Sequence, residues 1–134
     1  MAEFLLDTDT ASRLIRADRK TVAGMRRSGA SAIAISAITQ AELLYGARLR
    51  SDAPAIMTAV RAFLVRVTIE AWDADAAEQH ALIRATAKAQ GRSAGVFDIM
   101  IAAHARALGV TLVTSDAAIG KLGVDGLRVV DWGK

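Results

Sequence analysis

Five short apolar runs, each followed by a stretch of helical length or by the chain end, constrain this chain more than any other feature of it. The runs are Phe4 to Leu6, Ala32 to Ile35, Val65 to Ala71, Val110 to Thr114 and Leu127 to Val130. Four are continuous and only Val65 to Ala71 alternates weakly, which suits strands buried on both faces of a parallel sheet. Helices are expected over Ala11 to Ser28, from Ser36 or Thr39 to about Ala47, from Asp52-Ala53-Pro54 to Phe63, and from Trp72-Asp73 to Ala89. Pro54 suits a first turn, where its missing N–H is not needed. Two more follow over Val96 to Leu108, with Gly109 as the C-cap, and over Ala117 to Leu122. Strand and helix in alternation predict an α/β fold, three-layered α/β/α, around a central parallel sheet. No internal repeat or Pro-, Gly- or Ser-rich linker divides the chain, and it holds one proline, so residues 1–134 read as a single domain.

The chain can fill such a core. It is 53% hydrophobic and 23% charged, a balance that excludes intrinsic disorder, while aromatic residues supply only 4% and leave Ala, Val, Leu and Ile to pack the interior. There is no cysteine, which excludes disulfides, thiolate zinc sites and a thiol nucleophile. Any metal must therefore sit among oxygen or imidazole ligands. The formal charge of +3 is a mild bias towards anionic partners. Met1 to Asp7 lacks the basic start and long apolar run of a signal peptide, and no apolar run is long enough to span a membrane. A cytoplasmic protein without membrane attachment is expected.

Four of the fourteen acidic residues stand in apolar surroundings, where a carboxylate is rare unless something pairs with it. Asp7 follows Phe4-Leu5-Leu6, Glu42 lies within the apolar helix after the second strand, Asp98 interrupts Val96 to Ala103, and Asp116 closes Val110 to Ser115. Taken singly, Asp7, Asp98 and Asp116 are explained as helix caps or partners of a helix dipole, and Glu42 as an exposed helical residue. Taken together they exceed what capping requires. Ligands of open α/β sheets bind beyond the carboxyl ends of the strands, where Asp7 and Asp116 fall. Four carboxylates facing one cleft would raise one another's pKa values unless a cation neutralised them. Mg²⁺ or Mn²⁺, which prefers oxygen ligands and keeps waters, fits.

The same residues carry a family resemblance. Leu5-Leu6-Asp7-Thr8, Ile35-Ser36 through Ala41-Glu42-Leu43 with Tyr45-Gly46-Ala47, and Gly91-Arg92 through Phe97-Asp98-Ile99-Met100-Ile101-Ala102-Ala103-His104-Ala105 supply most of it. Leu112-Val113-Thr114-Ser115-Asp116 and Leu127 through Trp132 complete it in order along nearly the whole chain. The sequence resembles the PIN-domain ribonuclease toxins of the VapC type, from VapBC toxin–antitoxin pairs. The resemblance implies a PIN-like three-layer domain. It implies an acidic triad of Asp7, Glu42 and Asp98 with Asp116 as the fourth acid, Asp7 and Asp98 as direct metal ligands, and Thr114 as the hydroxyl that orients Asp7. It also implies Mg²⁺- or Mn²⁺-dependent cleavage of RNA phosphodiester bonds, a small antitoxin that blocks the cleft, and a homodimer. Two departures stand out. Asp9 occupies a position where the family usually has Asn or Ser and so adds negative charge, and Ala117 to Leu122 lacks the family's common Phe.

Other features point less sharply. Arg13, Arg16, Arg19, Lys20, Arg26 and Arg27 suit contacts to RNA phosphates near Asp7, although a solvated helix face explains them too. His104 falls about 240° around its helix from Asp98. His80 reads as solvent-exposed, and Trp72 and Trp132 read as packing anchors. Asp7-Thr8-Asp9-Thr10 also resembles the first motif of haloacid-dehalogenase-like phosphatases, with Asp7 as the nucleophile. Against that alternative, the chain offers too little after Thr114 for the remaining motifs. A non-catalytic RNA-binding module is the other alternative, and it leaves four clustered carboxylates without a purpose.

Overall fold

The computed structural model describes residues 2–134. Five strands form one parallel sheet: β1 (Phe4–Leu6), β2 (Ile33–Ser36), β3 (Thr68–Glu70), β4 (Thr111–Val113) and β5 (Val129–Val130), in the order β3-β2-β1-β4-β5. Phe4, Leu5 and Leu6 pair with Ile33, Ala34 and Ile35 on one side and with Thr111, Leu112 and Val113 on the other. β1 is thus the central strand. The direction of strand succession reverses between β1 and β4, and that reversal opens a crevice at their carboxyl ends.

Successive strand residues point to opposite faces, so each apolar run serves two cores. Leu5, Ala34 and Leu112 pack against α5 (Ala74–Ala89), α6 (Val96–Leu108) and α7 (Ala117–Lys121) through Ile83, Ala87, Ile101, Ala102 and Ile119. Leu6, Ile35 and Val113 face α1 (Thr8–Ile15), α3 (Ala37–Arg48) and α4 (Pro54–Leu64) through Ala11, Leu43, Ala47, Val60 and Leu64. The three-layer α/β/α arrangement is the one the sequence predicts. The two apolar cores explain why the strands carry so few polar side chains.

One expected element divides. Ala11 to Ser28 forms two helices, α1 and α2 (Arg19–Ser28), because Ala17 takes a left-handed conformation with φ 58° and Asp18 starts a new helix by accepting from the Thr21 amide and hydroxyl. That carboxylate is held below the usual range by the side-chain bond, then the backbone bond, from Thr21. The outer strands are shorter than expected, β3 by four residues and β5 by two. Gly24, inside α2, has a structural reason: a Cβ there would collide with the Trp132 carbonyl oxygen, so only glycine lets the C-terminal segment cross the helix. Trp132 is buried and its ring lies 5.4 Å from that of Phe4, an anchor as expected.

Candidate active site

The crevice between β1 and β4 is built by hydrogen bonds that begin on the backbone. The Asp7 amide donates to the Val113 carbonyl at 3.0 Å and joins the ends of the two strands. Asp7 is 6% exposed, and both of its carboxylate oxygens are held. Oδ1 accepts from the Thr10 amide at 2.8 Å, capping α1, and Oδ2 accepts from the Thr114 hydroxyl at 2.5 Å. Thr114 Oγ1 in turn accepts from the Asp116 amide at 3.0 Å, so one hydroxyl ties the carboxylate at the end of β1 to the turn after β4. Asp116 Oδ1 caps α7 by accepting from the Ala118 amide. The capping reading of Asp7 and Asp116 is therefore correct, and it leaves Asp116 Oδ2 uncommitted by the cap.

Glu42 reaches the crevice from α3, which Ser36 starts by accepting from the Ile38 amide. The Thr8 hydroxyl donates to Glu42 Oε1 at 2.6 Å and lies 3.2 Å from the Thr39 hydroxyl. Thr8 is plain in the sequence beside Asp7, but nothing in its spacing from Glu42 marks it as that residue's partner.

Asp98 arrives from the other core, in the first turn of α6. Burial first, then the charges of Asp116 and Asp7, a hydrogen bond shared with Asp116, and the charge of Glu42 push its carboxyl up to about 6. The other three acids singled out in the sequence thus bear electrostatically on Asp98. Among the described residues the ion pairs are Arg13–Asp9 and Arg50–Asp52, and neither brings a cation to any of the four. No three His, Asp or Glu side chains among the described residues are grouped tightly enough to hold an ion by themselves. An ion here would need waters to complete its coordination. Mg²⁺ keeps waters of that kind, and the all-oxygen donor set suits it.

Gly95 is a further contributor. It is the residue before α6, with φ −59° and ψ 146°, a backbone conformation open to any residue. A Cβ at this position would stand 2.8 Å from Asp98 Oδ2, closer than such contacts come. The missing side chain is therefore space for the Asp98 carboxylate.

The departures and lesser residues also find places. Asp9 turns outward to pair with Arg13 at 3.0 Å, and Ser115 Oγ lies 3.4 Å from it, so its extra charge is matched by a cation. Arg16 bonds Ser12 Oγ at 2.7 Å and, with Thr8 and Glu42, borders a cavity of about 530 Å³ floored by Leu43, Ala47 and Val60. Arg19 is exposed at the start of α2. His104 is buried away from the acids, its pKa lowered by desolvation against weaker opposing effects of Asp73, Glu70 and the Ala71 backbone. His80 is half-buried, edge-on to Trp72 at 5.8 Å, where the sequence suggests exposure. Packing against Trp72, whose Nε1 donates to the Met100 carbonyl, explains the difference.

The PIN-domain family profile matches residues 4–124. The chain is 34% identical to the "tRNA(fMet)-specific endonuclease VapC" of Shigella flexneri over 98% of its own length and 99% of that protein's. It is 32% identical to "Ribonuclease VapC2" of Haemophilus influenzae over 87% and 88% of the two lengths. The structure of DNA-bound VapBC from Salmonella typhimurium superposes with a TM-score of 0.87 at 31% identity, covering 98% of this chain and 99% of that one. A profile match over most of the chain, near full-length similarity to VapC endonucleases and the shared fold lead to one conclusion: this chain belongs to the PIN-domain family, among its VapC-type toxin endonucleases.

Proposed function

We propose that this chain, as a single PIN domain over residues 1–134, is a Mg²⁺- or Mn²⁺-dependent endoribonuclease in which Asp7, Glu42, Asp98 and Asp116 form the catalytic site. The observation that carries the reading is Asp98, whose carboxyl is pushed up to about 6 by burial and by the three other acids, with no protein cation paired against them among the described residues. Crowding of that kind is what a divalent cation relieves. Asp7 and Asp98 would hold the ion, with Glu42 and Asp116 beside it. When bound, the ion lowers the pKa of a coordinated water and offsets charge at the phosphate.

The chain's own groups do the rest. Thr114 fixes the Asp7 carboxylate, and Thr8 fixes that of Glu42. Glu42 or Asp116 accepts a hydrogen bond from the attacking water and orients it in line with the scissile P–O bond. The attacking water gives up a proton to that carboxylate or to solvent, and the leaving oxygen takes one up from solvent as that bond breaks. Asp7 serves as a fixed carboxylate in this scheme: each of its oxygens accepts one hydrogen bond and keeps a lone pair for the ion.

The proposed substrate is RNA, supported by the endonuclease and ribonuclease names of the relatives, and the proposed place of action is the cytoplasm. A small antitoxin is the proposed partner, supported by the similar "Toxin-antitoxin complex from Klebsiella pneumoniae", and co-purification of the neighbouring gene product tests it. A homodimer is also proposed. Tyr45 and Leu49, 66% and 63% exposed and four residues apart at the end of α3, offer an apolar patch for it, which sedimentation velocity examines.

Asp7→Asn and Asp98→Asn should fold as the parent does and lose RNA cleavage by at least about a hundredfold, the scale of removing a group that acts at the reacting centre. EDTA should abolish cleavage and Mg²⁺ or Mn²⁺ restore it. Cleavage that persists in EDTA, or in both variants, overturns the reading.

A further inference from the structure

A second concave surface lies on the α5 side of α6. A cavity of about 280 Å³ is lined by His80, Arg84, Lys88, Arg92, Val96 and Ile99. His80, Arg84 and Lys88 are spaced four residues apart, which sets them along one face of α5 over about 12 Å. Arg92 closes the row and is anchored through Nη1 to the Leu122 carbonyl at 3.3 Å. None of these basic side chains takes part in an ion pair among the described residues. The acids of α5 lie in its first half, with Asp75 in the first turn. Glu78 falls about 200° around the helix from His80. His80 Nε2 is buried with no hydrogen-bond partner.

The cavity shares its wall with the candidate active site. Val96 and Ile99 belong to the same helical turn as Asp98, so the basic groove and the acidic crevice lie on two sides of the N-terminal end of α6. Cations without ion pairs among the described residues, lining a groove that shares its wall with the crevice, suit the backbone phosphates of a nucleic-acid strand held there. An acidic peptide would use the same cations, but nothing ties it to this edge of the crevice as the substrate strand is tied.

We infer that this groove binds backbone phosphates of the RNA strand outside the scissile bond, with Arg84 and Lys88 as the main contacts. The inference rests on the ribonuclease reading above and names the path the substrate takes away from the crevice. It places substrate contacts on α5, in addition to the Arg13, Arg16 and Arg19 stretch, where Arg13 is already committed to Asp9.

The test uses Asp7→Asn protein and a labelled single-stranded RNA, with binding read by fluorescence anisotropy across a salt series. Arg84→Glu/Lys88→Glu should bind roughly tenfold more weakly and show a salt slope smaller by about 0.7 for each phosphate no longer neutralised. Arg84→Gln/Lys88→Gln, which leaves no like-charge repulsion on the helix, should fall between it and the parent. In cleavage-competent protein the same changes should raise KM and leave kcat unchanged. Unchanged affinity and slope in both double variants overturn the inference. So does loss of antitoxin capture with RNA binding intact, which makes the groove a protein-docking site. Cleavage by the parent with unaltered binding in the variants rejects this inference alone. Absence of both RNA binding and cleavage in the parent rejects the ribonuclease reading with it.

Discussion

Gly95 and Asp98 are related as the residue before a helix and the third residue within it, the pair that forms a capping box when the first is Ser or Thr. Here the Asp98 carboxylate leans back over the space that a side chain at position 95 would fill. A serine there is an acceptable or better helix cap than glycine, so a purely structural role predicts unchanged or higher stability in Gly95→Ser. The geometry predicts something different. The variant should retain or gain Tm while Asp98 is displaced, so Mg²⁺ affinity, read by isothermal titration calorimetry, should drop about tenfold with cleavage falling in parallel. Parental Mg²⁺ affinity and activity in Gly95→Ser would remove the positioning role. The acids themselves are legible in the sequence, because a charge inside an apolar run needs a reason. Gly95 is not, since its backbone angles are ordinary and a missing Cβ is informative only when the atom it would strike is known. Thr8 is hidden similarly: its partner Glu42 is 34 residues away.

At the scale of elements, the apolar runs reveal each strand, and the polar residues and glycines after them reveal most helix ends. Gly109, for example, takes φ 71° as the C-cap of α6. The break between α1 and α2 is illegible for a specific reason. Ala is the strongest helix former of the twenty, yet Ala17 holds the left-handed position that glycine usually supplies. The cost of that conformation is about 1–2 kcal/mol. What decides the break is downstream: Asp18 starts α2, and α2 is in turn held by the passage of Trp132 over Gly24. Ala17→Gly should relieve the strain, and part of that gain is offset by greater freedom of the unfolded chain. The net expectation is a stabilisation of about 0.5–1 kcal/mol by urea denaturation, with RNA cleavage unaffected. Destabilisation by Ala17→Gly would show that the turn is not strained.

Across the whole molecule, the sequence shows that strands and helices alternate but not that β1 takes the centre, because every strand is similarly apolar and pairing order is set by how the helices share the two faces. That order brings Asp7 and Asp116 side by side at the crevice, and α3 and α6 add Glu42 and Asp98 from opposite layers. The net charge of +3 therefore conceals a separation, with acids collected at one strand edge and Arg84 and Lys88 on α5 outside it. Collecting the acids has a consequence for folding. Asp98 is raised from 3.8 to about 6, so its contribution to stability is fully present below pH 3.8 and is lost as the pH rises towards and through 6. His104, lowered by burial from 6.5, acts in the opposite sense, its contribution being present above 6.5 and lost as the pH falls below that value through its lowered pKa. Comparing parent with Asp98→Asn in EDTA isolates the first effect. The parent should lose stability relative to the variant between about pH 4 and 6, and the difference should level off above about pH 7. Mg²⁺ should then restore stability to the parent at pH 7.5, by about 2.7 kcal/mol at roughly one hundred times its Kd, and by only about half as much at pH 5, where the proton on Asp98 weakens its binding about tenfold. Asp98→Asn should show much less of that Mg²⁺ increment, and KCl at matched ionic strength should reproduce only a minor part of it. An equal Mg²⁺ increment at both pH values, or in both proteins, would mean that the ion does not act through Asp98.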